Sequence, residues 1–422
     1  MDPQRMPEAL LGPYRVLDLT TERGFLAGKL MGDMGADVIK VEPPGGDSAR
    51  RLGPFYHDEP HPEKSLYWMA FNLNKRGITL DLETADGREL FLRLVKTADF
   101  VIESFEPGYM DRIGLGYNVL SAINPALVMT AITPFGQSGP YKDFKTGDLV
   151  NMGMGGFLFV TGDEDRPPLN ISFPVSYCHA GAEAAASSAI AHYHRDLTGE
   201  GQFIDVSIQE CIIGTLLAVT TTWDLNETNS GRGGPIRVNP QTGVRTQSVW
   251  PCKDGYVTWT LMGGRPSRNN SLRAMAAWMH EEGMASDWFR GIRWEEQMAP
   301  ATLTQELYDG VAQEMGRFLM TKTTGELYER AVADLLLLAP VSTAKQQLES
   351  PQLLDRQAFV EVNHPELGGK LMYPGGFAKM SAWSPRISRK PPRIGEHNVE
   401  VFCEEMGLSR QELATLREAG AV

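Results

Sequence analysis

The first half of the chain alternates between two hydrophobic periods. Short apolar runs at 14–19, 37–41, 78–82, 100–103 and 127–132 read as strands. Between them the period lengthens. Residues 24–35 carry Leu26, Leu30, Met31 and Met34 on or near one helical face, and a helix from Thr84 holds Leu90, Leu92 and Leu94. Strands alternating with helices predict βαβ units and a mainly parallel sheet, hence an α/β fold. Further on, a small-residue helix runs from Gly181 to Arg195, followed by Thr198-Gly199 and a strand at 202–208.

The pattern then shifts. Gly231, Gly233, Gly234 and Pro235 mark a crossing, and 249–318 mixes aromatic strands with Met- and Trp-rich helical stretches. From Thr324 the chain returns to helix, with an apolar run at 335–338, mixed strand and turn at 355–376, and a helical stretch at 398–419. The predicted organisation is a large-domain segment at 1–225, a small domain with its linkers at 226–323, and a return segment at 324–422 that completes the large domain.

Composition narrows the function classes. A length of 422 residues exceeds one ordinary domain, and 42% hydrophobic with 22% charged residues is typical of a soluble globular protein. Neither a signal peptide nor an apolar run of membrane-spanning length is present in the sequence, so no membrane partner is expected. Cys178, Cys211, Cys252 and Cys403 are far apart and form no CxxC pair. They read as free thiols of a reducing cytoplasm, with no metal site implied. The net charge of −13 argues against a nucleic-acid surface. The basic cluster Arg386, Arg389, Lys390 and Arg393 is short and proline-interrupted, and reads as a solvated loop. The first strand–helix turn, Thr20-Thr21-Glu22-Arg23-Gly24, lacks the GxGxxG of nicotinamide dinucleotide sites, and no Walker motif is present.

A series of weak motifs in a specific order is more telling. Arg15-Val16-Leu17-Asp18-Leu19 is followed by Gly35-Ala36-Asp37-Val38-Ile39-Lys40-Val41-Glu42, Gly45-Gly46-Asp47 with Arg50, and Asn74-Lys75-Arg76. Then come Ala98-Asp99, Phe105 with Pro107-Gly108, Phe135-Gly136-Gln137 with Gly139-Pro140, Asp148, and finally Gly395-Glu396-His397. Over nearly the whole chain this order resembles the family III CoA-transferases of the CaiB/BaiF type. The resemblance implies a large Rossmann-like domain built from both chain ends, a smaller α/β domain between them, and two interlocked subunits. It implies no tightly bound cofactor, with coenzyme A thioesters as substrates.

The family's nucleophilic Asp lies four residues before the Gly that opens the central helix. Counting back from Gly181 gives Tyr177. A carboxylate suits the family's chemistry because it can attack a thioester, become an acyl group and then leave. A phenol, with a pKa of about 10, can do none of this well. The neighbours read as bland: Cys178 as a small buried filler, His179 as a helix-start residue, Glu183 as helix surface. The His-Asp pair of the family's racemases reads Gly147-Asp148, which disfavours racemisation.

For coenzyme A the resemblance places Lys75, Arg76 and Arg112 at cationic phosphate contacts and Phe105 at the adenine; ordinary surface charge is the competing reading of the three cations. The family's Asn before that aromatic is Ser104, its frequent Arg after it is Glu106, and an Arg after the second strand is Pro43 or Pro44. Residues 231–235 match either the family's glycine loop or a plain linker. The expectation is a chain that lacks its own nucleophile and serves as structural or pocket-shaping partner of a catalytic paralogue. Heteromeric enzymes of the succinyl-CoA:benzylsuccinate CoA-transferase type in aromatic degradation are the likeness. The alternatives are a homodimeric acyl-CoA lyase or hydratase, and a CoA-binding scaffold or regulatory protein.

Overall fold

A computed structural model describes residues 9–239 and 242–422. The chain divides into two compact units, taken one at a time. The first combines the chain up to Phe157 with Asn170–Glu227 and Pro351–Val422; the second combines Leu158–Leu169 with Thr228–Ser350.

The first unit is built on six parallel strands: β1 (Arg15–Leu19), β2 (Asp37–Glu42), β3 (Lys75–Thr79), β4 (Phe100–Glu103), β5 (Val128–Thr133) and β6 (Phe203–Ser207). Their order is β3-β2-β1-β4-β5-β6, with Val16 opposite both Val38 and Phe100. The central strands are buried on both faces, which is why they read as continuous apolar runs and not as alternations. On one face lie α1 (Phe25–Asp33) and a long helix whose core contacts include Ala180, Ala184 and Ala191. On the other face α3 (Ala85–Val95) and α5 (Tyr117–Ile123) pack with Val401, Phe402 and Val422 of the C-terminal stretch. Three shorter helices, α2 (Leu66–Phe71), α4 (Tyr109–Arg112) and α6 (Asp148–Met154), sit in the connections. The long helix is α7 (Val175–Thr198), followed by α8 (Ile208–Gly214) and α9 (Leu217–Asn226).

Two elements start earlier than their apolar pattern suggests. The third strand opens at Lys75, three residues before the predicted 78–82, because two charged side chains at its start are buried by ion pairs. The central helix opens at Val175, six residues before Gly181. There a remote carboxylate replaces a local cap: Asp148 Oδ1 accepts from Ser176 N at 3.0 Å and from Ser176 Oγ at 2.7 Å.

Beneath the sheet lies a buried charge network. Lys75 Nζ donates to Asp18 Oδ2 at 2.8 Å, to the Phe25 carbonyl at 2.9 Å and to Asn72 Oδ1 at 2.9 Å. Asp18 Oδ1 accepts from Thr20 N and Thr20 Oγ1, shaping the turn into α1. Burial pushes the Asp18 carboxyl up, but the Lys75 and Lys40 charges and the bonds from Lys75 and Thr20 outweigh it and hold it below the usual carboxylate range. Burial pulls Lys75 down to about 8, with Asp18 opposing the fall. Gly28 is required here, since a Cβ would collide with the Asp18 carboxylate.

The return segment closes an exposed edge. β3 is the outer strand, and edge strands invite unwanted pairing. Residues 386–398 cover it. Asn74 Oδ1 accepts from Ser388 N and Arg389 N, His397 Nδ1 accepts from Gly77 N at 3.0 Å, and Asn398 Oδ1 accepts from Thr79 N at 2.9 Å. This is the work of the Gly395-Glu396-His397 turn.

The second unit has its own core. The antiparallel pair β7 (Ile236–Val238) and β8 (Arg245–Gln247) precedes a three-stranded sheet of β9 (Val249–Pro251), β10 (Tyr256–Trp259) and β11 (Leu338–Pro340), in the order β11-β10-β9. Helices Pro266–Glu281, Gln305–Leu319 and Thr324–Asp334 pack with Trp250 and Trp259. The Trp250 indole donates to the Trp259 carbonyl and the Trp259 indole to Ser271 Oγ. Arg232, inside the 231–235 crossing, ties to 158–169 by donating to the Asp163 and Arg166 carbonyls. The predicted 323/324 boundary falls inside this unit, because β11 pairs with β10 and the helix before it shares the core. The chain rejoins the first unit at Pro351 and adds the hairpin β12 (Phe359–His364) and β13 (Gly369–Pro374).

Two stability measurements follow. Asp18→Asn leaves the Lys75 ammonium buried without its counter-charge and is expected to cost about 3–5 kcal/mol. Adding Lys75→Met should recover most of that loss; urea titrations that show no effect of Asp18→Asn would remove the network from the fold's foundations. Glu103, buried at the end of β4, is pushed up to about 8 from an ordinary 4.5 by burial, against a hydrogen bond from Phe105 N. The folded state therefore keeps a proton that the unfolded chain releases, and this group's contribution to stability declines as pH rises from about 4.5 to about 8. Glu103→Gln should flatten that decline; an unchanged pH profile between parent and variant contradicts it.

Candidate functional site

In open parallel sheets, ligands bind outside the carboxyl ends of the strands, near the point where strand order reverses. Here the reversal lies between β1 and β4. The loops there carry the turn 20–24, the segment 134–147 and the start of α7.

Tyr177 sits in the first turn of α7, 9% exposed, within the apolar core that also holds Ala27, Ala180 and Val206. Its placement is set one turn later. The chain of Gly181 passes so close to α1 that a Cβ there would lie 2.8 Å from Leu26 Cβ. The glycine counted from sequence thus fixes the packing depth of the helix, and residue 177 is held against the 20–24 turn. Burial raises the phenol above its usual pKa, with Arg23 pulling the other way and Glu22 adding to the rise. It is a neutral hydroxyl at physiological pH.

Asp148 is occupied by Ser176 at the head of α7. Cys178 is pushed up to about 11 by burial and by the Asp148 charge, so its thiol stays protonated. Glu183 is exposed on the following turns, and His179 is half-buried. Beside the phenol is a set of spare donors. Arg23 Nη2 reaches the Thr146 carbonyl at 3.4 Å while its Nε is buried with no partner among the described residues. Asn151 Oδ1 accepts from Thr146 Oγ1, and its Nδ2 likewise has no partner. Such donors can hold a polar group. They cannot carry an acyl group. Arg23 was visible in the sequence only as part of a turn judged for what it lacked; its position after the first strand was the available signal.

The four residues expected at coenzyme A separate into two pairs. Lys75 and Arg76 face inward. Lys75 is fully enclosed by the network described above, and Arg76 pairs with Asp37 at 2.6 Å, with Glu400 at 2.9 Å and with Glu405. Their charges are paired with carboxylates of the fold. Phe105 and Arg112 lie outward. Phe105 packs on Tyr109 with ring centroids 4.5 Å apart, and the exposed Arg112 guanidinium lies over the Tyr109 ring at 5.0 Å. Glu103, by accepting from Phe105 N at 2.7 Å, sets the bend that brings Phe105 there. Among the described residues no cluster of His, Cys, Asp and Glu could hold a metal ion, and no helix is long and apolar enough to cross a membrane.

Known proteins match nearly the whole length of the chain. The chain is 34% identical over 411 residues to the succinyl-CoA:(R)-benzylsuccinate CoA-transferase subunit BbsE of Thauera aromatica, covering 97% of both chains. It is 32% identical over 426 residues to the succinyl-CoA–D-citramalate CoA-transferase of Chloroflexus aurantiacus, covering 99% of each. A CAIB/BAIF family protein from Brucella suis superposes with a TM-score of 0.80 at 27% identity, over 94% of this chain and 100% of that one. The sequence model of CoA-transferase family III matches residues 11–398, and the chain belongs to that family.

Proposed function

We propose that this chain is the non-catalytic subunit of a heteromeric CoA-transferase. The enzyme would move CoA from succinyl-CoA to a carboxylic acid such as an aromatic succinate, with the nucleophilic Asp supplied by a paralogous partner. The carrying observation is Tyr177: a buried, protonated phenol stands in the first turn of α7, Asp148 is engaged by Ser176, and Glu183 is exposed on the following turns.

The chemistry explains why that matters. In the partner, an Asp oxygen attacks the thioester carbon of the donor; the C–S bond breaks and CoA thiolate leaves. The thiolate attacks the Asp acyl carbon of the mixed anhydride, the donor acid departs, and an aspartyl-CoA thioester forms. The acceptor carboxylate then attacks that acyl carbon and displaces the thiolate. Thiolate attack on the acceptor's own carbonyl releases the new acyl-CoA and regenerates the Asp. Each step needs a side chain that is itself an acyl group. A phenol has no acyl carbon to offer.

Unpartnered apolar surface supports a covering chain. On α7, Ile190, Tyr193 and Leu197 are 68–71% exposed at helical spacing, and α9 buries none of its residues while presenting Leu217, Trp223 and Leu225. The relative named as a subunit, matched over 97% of both chains, points the same way.

Native mass spectrometry after co-expression with the genomic neighbour should give a stoichiometric complex of two similar chains. During turnover with succinyl-CoA, hydroxylamine or borohydride trapping should modify the partner and leave this chain unlabelled. A lone homodimer that turns over acyl-CoA, or label on this chain, sinks the reading. Within the complex, Tyr177→Phe is expected to keep kcat within about threefold of the parent, because the hydroxyl does no chemistry. A loss of about a hundredfold or more would assign Tyr177 a catalytic part.

A further inference from the structure

A crevice of about 400 Å³ opens at the carboxyl ends of β1 to β4, lined among others by Thr21, Glu42, Asp47, Glu83, Phe105 and Tyr109. Its position, beside the reversal of strand order, is where a nucleotide would enter such a sheet. Its floor suits an adenine, since Phe105 and Tyr109 offer aromatic faces.

Its charges do not suit the rest of coenzyme A. Among the described residues the lining holds four carboxylates, Glu42, Asp47, Asp81 and Glu83, and one cation, Arg51. Two of the acids are answered from within the protein. Glu42 is gripped by Arg50 Nε at 2.6 Å and Nη2 at 2.7 Å, and Asp47 lies 3.9 Å from Lys40 Nζ. Asp81 and Glu83 remain. Glu83 is exposed at the rim, and its Oε1 accepts from Tyr109 OH at 2.8 Å, which fixes a carboxylate against the aromatic floor. Glu106, next to Phe105, adds another exposed acid, and the exposed Lys145 approaches it at 3.8 Å. Of the nearby cations, Lys40, Arg50, Lys75 and Arg76 are buried in the ion pairs above, and the exposed Arg51 in the lining and Arg112 over the Tyr109 ring are outnumbered by Asp81, Glu83 and Glu106. A diphosphate with a further ribose phosphate needs converging Arg or Lys donors, and like charges in place of them oppose binding.

We infer that Glu83 and its acidic surroundings make this crevice reject the phosphorylated adenosine end of coenzyme A, so that this chain holds no CoA and an assembled pair holds one. The rejection stands on the crevice alone; the count of one per pair rests on the reading of the chain as a partnered subunit.

Isothermal titration of the isolated full-length chain with CoA and with 3′-dephospho-CoA, at low salt, separates the two. The parent chain should show no CoA binding below the millimolar range. Glu83→Lys should tighten CoA at least about tenfold, and dephospho-CoA less, because the new charge meets one phosphate fewer. Glu83→Gln, which keeps the shape and removes the charge, should fall between parent and Lys variant, and it serves if the Lys variant fails to fold. Micromolar CoA binding by the parent, or no gain in either variant, overturns the rejection. In the purified two-chain complex one CoA per pair is expected, and two per pair overturns the inference. Failure to find any partner chain would defeat the proposed function and leave the isolated-chain titration to decide this point.

Discussion

The buried pair of Asp18 and Lys75 is the constraint on which the sheet and the site both depend. One carboxylate and one ammonium join the first strand, the third strand, the start of α1 and the end of α2. Neither ion could be buried alone. Together with Thr20 they fix the turn 20–24, and that turn sets where Arg23 stands relative to Tyr177. The site is thus shaped by a charge pair that is itself fully buried.

The same economy explains why a transferase frame can persist around a phenol. Gly181 sets how deeply α7 seats on α1, and Asp148 caps the helix from a different element. Both are needed for the fold whether or not residue 177 reacts. Tyr177 itself belongs to the apolar core. Arg23, whose charge acts on the phenol, keeps a buried donor without a partner among the described residues, as does Asn151.

Much of this was legible in the sequence. The βα alternation gave the parallel sheet, and the spacing from Gly181 singled out residue 177, although the helix expected from Gly181 did not reach it. What was not legible has a common cause. Lys75 and Arg76 sit where cations are expected at a phosphate, yet their carboxylate partners, Asp18, Asp37, Glu400 and Glu405, come from distant parts of the chain. Local sequence cannot distinguish a cation aimed at solvent from one aimed inward. The early start of α7 and the late end of the second unit have similar origins, in a cap from residue 148 and a strand pairing from residue 338. Glu83 showed no signal at all as a sequence feature, because a lone acid near a strand end is common surface. Only the crevice around it gives that charge a meaning.

The seal along β3 is supplied by residues 386–398, more than three hundred positions downstream of the strand it protects. On the ribosome, then, the opening sheet has a bare backbone flank until residues 386–398 have been translated. Nascent chains carry an uncovered strand edge over more than three hundred residues of elongation, and neighbours must be kept from that flank until its cover is made.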